Sequence, residues 1–336
     1  MNAILCFGEF LIRFSPDTEG KWLERNNLTF YVGGAELNVA AALGQWGLPV
    51  QFCSALPENY LTHQITEYLN QKQIDASKVL FHGNRIGTYY LPADADLKHQ
   101  SVIYDRSNSS FSTLEPGMID WDLILDGVTW FHFSAISPAL SKSVADVCEE
   151  GLAAAANKKI TISVDLNFRN KLWQYGYDSG KIMPRLVKYC DIVMGNVWSA
   201  ATMLNIPIDE LLTKKNKKEA YIEQSAQTSG HIMENFPRCK AVANTFRFEE
   251  GVKINYYATL FCEKQLHVSQ EYLSDKVVDK VGSGDCFMAG LIYGYLHQLN
   301  PQDILEFATS AAFEKLFVKG DSTNKTVEEI KAAIKK

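Results

Sequence analysis

A short glycine-containing segment in the last quarter of the 336-residue chain carries the residues best suited to chemistry. Gly282, Ser283 and Gly284 precede Asp285, where an apolar run predicts a helix. Glycines let the backbone turn sharply, so that successive N–H groups can point toward one bound phosphate. A carboxylate beside that phosphate would suit a general base that accepts a proton from an attacking hydroxyl group. The alternative is an acidic residue favoured by the helix dipole.

A second glycine pair, Gly33-Gly34, lies far upstream and leads into another predicted helix. These glycines permit close approach of the backbone to a ligand, and Asn38 follows where an amide could bond to a hydroxyl group. An ordinary strand-to-helix turn with a capping carboxylate explains the same residues equally well. Each glycine segment alone is therefore weak evidence of a site.

The sequence predicts alternating strands and helices, and these elements must position the two glycine segments. The buried-looking run Ile4 to Phe7 predicts a first strand, and strand-like and helical patterns alternate again after residue 111. Such alternation predicts an α/β fold with helices on both faces of a mostly parallel sheet. Between Thr88 and Phe111 the rhythm changes to short strand-like pieces around a polar turn. We interpret these pieces, with residues 9–32, as a small β insertion.

Composition excludes several classes of function. The chain has 33 Lys+Arg and 39 Asp+Glu, a net charge of −6, which argues against a dedicated nucleic-acid binder. No apolar run reaches the roughly 18 residues of a membrane span, and the first residues lack a signal-peptide pattern, so we expect a cytoplasmic protein with no membrane partner. The seven scattered cysteines and the histidine spacing predict neither disulfides nor a zinc site.

Together, the two glycine segments resemble the ribokinase-like (PfkB) carbohydrate kinases. A double glycine with an Asn near the start, followed by Gly-x-Gly-Asp at a late helix, is that family's paired signature, and the likeness extends from Gly8-Glu9 to Gly320-Asp321. The resemblance implies a three-layer α/β/α sandwich with a small β-sheet lid. It assigns residues 1–8, 33–87 and 112–336 to the kinase core and residues 9–32 and 88–111 to the inserted lid.

The resemblance also implies transfer of the γ-phosphate of ATP, with Mg²⁺, to a sugar hydroxyl. Asp285 would be the general base, and Gly282, Ser283 and Gly284 would form the anion hole. Asp279 is expected near a monovalent cation such as K⁺. Two lids of this family often clasp, and lid sheets expose strand edges that proteins tend to cover, so a homodimer through the lid is expected.

Two groups of binding residues follow from the resemblance. Those expected at the substrate are Gly33, Gly34, Asn38, Tyr89 (or its neighbour Tyr90), Tyr104, Arg106 and Arg169. Those expected at the nucleotide are Asn196, Thr245, Arg247, Gly284, Phe313, Gly320 and Asn324.

Several features resemble the branch that phosphorylates 2-keto-3-deoxygluconate at its terminal hydroxyl. They include Arg13 and Pro16 after Gly8-Glu9, and the segment Asp165 to Trp173, which reads Asp-Leu-Asn-Phe-Arg-Asn-Lys-Leu-Trp. A sugar acid needs its carboxylate neutralised, and Arg offers fixed, permanently charged donors, so Arg106 and Arg169 are the candidates. The alternatives are ordinary salt bridges for both arginines and a fructokinase or ribokinase-type kinase of a neutral sugar.

Three departures from the family pattern lie on the ATP side. Ser199 stands where a Glu usually helps to organise the magnesium shell, and Lys280 replaces a Thr. Residues 242–248 read Val-Ala-Asn-Thr-Phe-Arg-Phe in place of a Thr-x-Gly-x-x-Gly block. These changes leave open a catalytically weak sugar-acid-binding sensor, although the retained Asp285 favours an enzyme.

Overall fold

The chain forms two sheets in a computed structural model that describes residues 3–16, 22–23, 27–92, 102–215 and 217–334. The predicted polar turn from Ala93 to Lys98 and the residue Ser101 lie outside these ranges. In the larger sheet, β1 (Ala3–Phe7) lies between β9 (Val128–Ser134) and β4 (Val50–Leu56). All five of its residues are buried, as expected of a parallel strand covered on both faces.

The larger sheet is parallel along most of its width and antiparallel at one end. Two short strands, β6 (Val79–Phe81) and β15 (Tyr272–Ser274), lie beside β4 and β13 respectively. Across the sheet the order is β14 (Gln265–Val268), β13 (Lys253–Cys262), β12 (Ala241–Glu250), β11 (Ile192–Gly195), β10 (Thr161–Asp165), β9 (Val128–Ser134), β1, β4 (Val50–Leu56) and β5 (Ile74–Asp75).

Helices follow the strands in the βα rhythm that the sequence predicts. In chain order they are α1 (Ala35–Gln45), α2 (Tyr60–Gln71), α3 (Trp121–Ile124), α4 (Lys142–Asn157), α5 (Ser179–Val187), α6 (Val197–Leu204), α7 (Leu212–Lys215), α8 (Lys218–Asn235), α9 (Ser283–Leu296), α10 (Pro301–Lys315) and α11 (Val327–Ala333). None of the helices in the described ranges is long and apolar enough to cross a membrane.

Two hydrophobic cores cover the two faces of the larger sheet. Ile4 and Cys6 of β1 belong to one core, with α1, α9 and α10, whereas Leu5 and Phe7 belong to the other, with α4 and α5. Side chains alternate across a strand, so β1 supplies both cores at once. The predicted three-layer α/β/α architecture is confirmed.

The smaller sheet has four strands and supplies the lid. Its order is β3 (Thr29–Gly33), β2 (Leu11–Ser15), β7 (Gly87–Tyr90) and β8 (Ile103–Asp105). All four strands come from the two predicted lid segments or extend one residue beyond them. The domain boundaries themselves stay a prediction.

The register of the lid sheet separates its two faces. One cross-strand row consists of Tyr31, Arg13, Tyr89 and Tyr104, and the next consists of Phe30, Phe14, Tyr90 and Ile103. Paired residues in adjacent strands share a face, so the two rows point in opposite directions. Tyr89 and Tyr104 line the cleft beneath the lid, whereas Phe30 and Ile103 are exposed.

The sequence did not predict the long antiparallel hairpin of β12 and β13 or the helix α8. Ten residue pairs join the two strands, and their polar residues do not mark one exposed face, since Asn244 and Thr259 are buried. Burial on both sides explains this, since residues 254 and 256–260 of β13 are nearly all buried. The sequence carries four lysines from Lys214 to Lys218, which is typical of a solvated loop or a helix start, and α8 begins at the last of them.

Candidate active site

A cleft lies between the lid sheet and the end of the larger sheet where β10 and β11 finish. Met194 and Gly195 at the end of β11 form part of its wall, and Leu11 of the lid lies opposite. Most of the predicted site residues line this cleft: Gly34, Asn38, Tyr89, Tyr104, Arg106, Arg169, Asn196, Thr245, Arg247, Gly282, Ser283, Gly284 and Asp285.

Both glycine segments begin a helix that has no side-chain cap. Gly34 precedes α1 with φ 130°, and Gly282 precedes α9 with φ 78°. Most other long helices, such as α4 with Ser141 and α6 with Asn196, start with a side chain that accepts a backbone N–H bond. The first N–H groups of α9 therefore face the cleft without a capping side chain, as an anion-binding helix start requires.

Asp285 lies in the first turn of α9 and is buried. Its Oδ2 accepts a hydrogen bond of 2.7 Å from Nδ2 of Asn38, which brings the two glycine segments together. Burial raises the pKa of Asp285 to about 8, and the nearby carboxylate of Asp165 adds to the shift, against the lowering effect of the Asn38 bond. A carboxyl group with a pKa near neutrality is suited to accept and release a proton.

Asp321 explains why glycines are required at both segments. A β-carbon at Gly282 would lie 1.8 Å from the backbone oxygen of Asp321, and one at Gly33 would lie 2.3 Å from its Oδ2. Any other residue at these positions would displace the backbone or a buried carboxylate. The turn that contains Asp321 thus holds the starts of both site helices against each other. Gly33, which was expected at the substrate, packs against Asp321 and does not line the cleft. Its neighbour Gly34 does line the cleft.

The two predicted arginines have different surroundings. Arg106 is buried, and its Nε donates to Oε2 of Glu9 at 2.5 Å, while Ser109 also donates to Glu9. Arg169 donates Nη1 to the backbone oxygen of Phe168 at 3.0 Å, and its buried Nε has no hydrogen-bond partner. No carboxylate of the described ranges forms an ion pair with Arg169. Of the two, Arg169 has the more available charge for a ligand.

Tyr89 and Tyr104 stand side by side over the cleft, with ring centroids 6.4 Å apart. The hydroxyl of Tyr89 donates to Oδ2 of Asp321 at 2.5 Å. Tyr90, the neighbour that the sequence leaves as an alternative, lies on the other lid face and stacks on Phe14. The lid register therefore selects Tyr89 for the cleft.

Polar residues at the ends of β11 and β12 line another part of the cleft. Asn196 caps α6 by accepting the N–H of Ser199 at 2.8 Å, and Thr245 donates to the backbone oxygen of Gly195 at 3.5 Å. Arg247 lies 3.4 Å from Glu249, which also accepts a bond of 2.5 Å from Lys280. Ser199 lines the cleft where a family Glu is usual, and it brings no charge there.

Three predicted nucleotide residues do not line this cleft. Phe313 is buried in the core, where it packs on Tyr272 and Phe317. Gly320 adopts φ 96° and donates its N–H to Asp279 at 3.1 Å, and Asn324 is exposed beyond it. Their contact with a nucleotide stays a prediction.

Sequence reasoning did not assign a role in the cleft to Asp165 or Glu9. Asp165 ends β10 and lines the cleft, and burial raises its pKa to about 6 despite a bond from the Asn167 N–H and the charge of Arg169. The sequence could have indicated a role for Asp165, because this residue is the first of the Asp-x-Asn-x-Arg segment and lies at the end of a predicted strand. Nothing local to Glu9 indicates its pairing with Arg106, which lies 97 residues away.

The residues around Asp279 do not fit the expected monovalent cation. Oδ1 accepts the N–H of Val281 at 3.0 Å, and Oδ2 accepts Nη2 of Arg13 at 2.7 Å together with the Gly320 N–H. The guanidinium already neutralises this carboxylate. The guanidinium would repel a second cation placed beside Asp279.

Magnesium fits the cleft as an ion carried by the nucleotide. Among the described residues, no three His, Cys, Asp or Glu side chains are grouped to hold a metal. Mg²⁺ commonly keeps several waters and binds substrate phosphates with one or two protein carboxylates. Asp165 lines the cleft and is the carboxylate that could serve in this way.

A buried carboxyl group of raised pKa, an uncapped helix start and a lidded cleft at the ends of parallel strands are features that a phosphoryl-transfer site on an α/β sandwich requires. The chain matches the pfkB family carbohydrate kinases over residues 1–327, and it belongs to that family. It is accordingly a carbohydrate kinase, which transfers a phosphoryl group to an alcohol.

Several relatives of this chain carry names of sugar-acid kinases. A crystal structure of 2-dehydro-3-deoxygluconokinase from Thermotoga maritima superimposes with a TM-score of 0.89 and 32% identity, covering 99% of this chain and 98% of that one. A 2-dehydro-3-deoxygalactonokinase of Haloferax volcanii is 25% identical, over 99% of this chain and 96% of its own length. A 2-dehydro-3-deoxygluconokinase of Bacillus subtilis is also 25% identical, over 94% and 90%.

Proposed function

We propose that this chain is an ATP-dependent kinase of 2-keto-3-deoxygluconate that phosphorylates its terminal hydroxyl group. The observation that carries this proposal is Arg169, which lines the same cleft as Asp285 and has a buried Nε without a hydrogen-bond partner. A neutral sugar gives no reason to keep an arginine in this position, whereas a sugar carboxylate can accept two parallel bonds from it. The names of the relatives support the same substrate class.

In the proposed reaction, Asp285 accepts the proton of the attacking hydroxyl group as the new oxygen–phosphorus bond forms. The bond from the transferred phosphorus to the ADP oxygen breaks, and ADP leaves with that electron pair. Backbone N–H groups of Gly282, Ser283 and Gly284 stabilise the charge on the transferring group. Asn38 holds the Asp285 carboxyl in place through the 2.7 Å bond.

The remaining polar residues of the cleft divide between the two substrates. Asn196, Thr245 and Arg247 would contact the phosphates and ribose of ATP. Bound magnesium would neutralise phosphate charge during the transfer. Tyr89 and Tyr104 would cover the sugar acid, and Arg106, held by Glu9, would set one side of its pocket.

The substrate is tested by coupled release of ADP with MgATP and a panel of acceptors. The panel contains 2-keto-3-deoxygluconate, its galactonate epimer, gluconate, fructose and ribose. We expect turnover of the 2-keto-3-deoxy acids with little activity on the neutral sugars. Preference for fructose or ribose would overturn the proposal. Absence of turnover together with thermal stabilisation by the sugar acid would instead support a binding protein, as the missing Glu at Ser199 allows.

Replacement of Arg169 provides a prediction specific to the acidic group. Arg169→Gln should raise KM for the sugar acid by about 10- to 100-fold, because one charge-assisted bond to the carboxylate contributes roughly 1.5–3 kcal/mol. The measurement is steady-state kinetics with saturating MgATP. Replacement of exposed Arg85 by Gln is the matched control and should leave KM unchanged. An equal KM in Arg169→Gln and wild type would refute the role of Arg169.

A further inference from the structure

A buried arginine of the lid lies against two carboxylates beneath the anion hole. The Arg13 side chain is 1% exposed; its Nη2 lies 2.7 Å from Asp279 Oδ2 and its Nε lies 2.8 Å from Asp321 Oδ1. The ring of Tyr31 covers the guanidinium at 4.3 Å. Tyr89 bonds to the other oxygen of Asp321. An arginine so deeply buried needs this many partners, because an unpaired charge in the interior is costly.

The partners of Arg13 belong to the backbone that shapes the anion hole. Asp279 accepts the N–H of Val281, the residue directly before Gly282. The backbone oxygen of Asp321 lies against Gly282, so closely that a β-carbon there would be 1.8 Å away. Asp279 also accepts the N–H of Gly320. Arg13 therefore joins both chain segments that enclose Gly282.

The cluster pairs two acidic side chains with two basic ones. Asp279 and Asp321 contribute two carboxylates, and the cations facing them are Arg13 and Lys315. The Lys315 side chain is fully buried and donates Nζ to the backbone oxygen of Val318 at 3.0 Å. Asp321 and Asp279 raise the pKa of Arg13 above its ordinary value, against the lowering effect of burial. The guanidinium is therefore charged at every working pH.

We infer that Arg13 is a built-in replacement for a monovalent cation: its guanidinium supplies the fixed positive charge that positions the Gly282-Ser283-Gly284 loop, so that phosphoryl transfer by this kinase does not require K⁺. Arg13 touches neither the sugar nor the phosphate and is a positioning residue. It also differs from a bound ion in one respect, since it is part of β2 and links the lid to the loop through its ion pairs with Asp279 and Asp321. The inference rests on kinase activity, not on which sugar is the substrate.

The first test measures the dependence of turnover on monovalent cations. Wild-type enzyme is assayed with MgATP in buffers that contain only K⁺, only Na⁺ or only tetramethylammonium at equal ionic strength. We expect the three rates to agree within about twofold. Activation by K⁺ of tenfold or more would overturn the inference and would leave the proposed sugar specificity untouched.

The second test removes the guanidinium. Arg13→Ala should lower kcat by about 10- to 100-fold, the usual effect of losing a group that orients reacting ones. K⁺ or low, non-denaturing guanidinium chloride should restore part of the rate by entering the vacated site. Arg85→Ala, at an arginine that precedes lid strand β7 and is paired with Asp105 at 2.8 Å, is the control and should show neither the loss nor the rescue. An unchanged kcat in Arg13→Ala would contradict the inference.

Two further measurements apply if Arg13→Ala does not fold or if no acceptor sugar is found. The double variant Arg13→Gln, Asp279→Asn removes one charge of each sign, and its turnover should become dependent on K⁺ if the inference is correct. The thermal shift caused by ADP with Mg²⁺ needs no sugar. In wild type this shift should be the same in K⁺ and in Na⁺, and in Arg13→Ala it should be larger in K⁺. If the thermal shift were the same in K⁺ and in Na⁺ for both proteins, the inference that Arg13 replaces a cation would be contradicted, even without a known acceptor sugar.

Discussion

Asp285 is the buried carboxyl group that we propose as the general base of this protein. Its bond from Asn38 keeps the carboxyl oriented, and burial together with Asp165 holds its pKa near 8. Such a group exchanges its proton easily near neutral pH, unlike an exposed aspartate. In the proposed reaction, the neighbouring N–H groups of α9 supply the complementary stabilisation of negative charge.

Replacement of Asp285 by Asn tests its role as the base. Asn keeps the shape and can still accept the bond from Asn38, but it cannot take a proton. We expect kcat to fall by about 100- to 10,000-fold, the usual contribution of a general base. Binding of ADP, measured by titration calorimetry, should change little. Retention of more than a tenth of the wild-type kcat would exclude Asp285 as the base.

The raised pKa of Asp285 also predicts a pH-dependent cost to stability. Between about pH 4 and pH 8, an unfolded chain ionises this carboxyl while the ligand-free folded chain keeps it protonated, so the free energy of unfolding falls as pH rises. Asp285→Asn removes this effect. The variant should be the more stable protein, by on the order of 2 kcal/mol at pH 8, with little difference at pH 4. Urea unfolding at several pH values measures this, and a constant difference would contradict it.

At the scale of elements, the site depends on two helices that start at glycines and on the lid sheet above them. The starts of α1 and α9 meet at Asp321, which leaves no room for a β-carbon at Gly33 or Gly282. The lid is linked to the same point through Arg13 and Tyr89. Substrate pocket, anion hole and lid therefore form one packed unit.

Gly282→Ala tests this packing. Its β-carbon would collide with the Asp321 backbone, and φ 78° disfavours any residue other than glycine. We expect a loss of about 1–3 kcal/mol in the free energy of unfolding and a larger loss of kcat than of sugar binding. Gly230→Ala in α8 is the control, because its β-carbon would meet no atom within 4 Å. Equal stability and activity of both variants would show that the close approach is unimportant.

At the scale of the whole molecule, the lid presents an apolar outer row to its surroundings. Phe30 is 63% exposed and Ile103 is 60% exposed, and Phe14 and Tyr90 join them across the sheet. The strands β3 and β8 that carry the exposed residues are also the edges of the sheet. Apolar side chains at unprotected sheet edges favour association, so this surface is where we expect a second copy to bind.

The lid dimer is tested by light scattering after size-exclusion chromatography. We predict a dimer for wild type and a monomer for Phe30→Glu combined with Ile103→Glu, because two buried like charges would oppose contact of the outer rows. Leu123→Glu, at an equally exposed leucine of α3, should stay dimeric. A wild-type monomer, or a double variant that remains dimeric, would refute this interface.

The sequence by itself determined the α/β rhythm, the two glycine segments and the chemistry available at Asp285. These properties are local, because a strand period, a glycine turn and a helix start depend on residues within a few positions of one another. They were sufficient to predict the α/β architecture, whereas most of the residues that line the cleft were predicted from the resemblance to the family.

Only the tertiary structure decided which distant residues meet and which side of the lid each residue faces. Asn38 reaches Asp285 across 247 positions, and Arg13 reaches Asp279 across 266. The choice between Tyr89 and Tyr90 depends on strand register, because a shift of one residue exchanges the two faces of a sheet. Such contacts follow from the closure of the whole chain around its core, and no local pattern of residues specifies them.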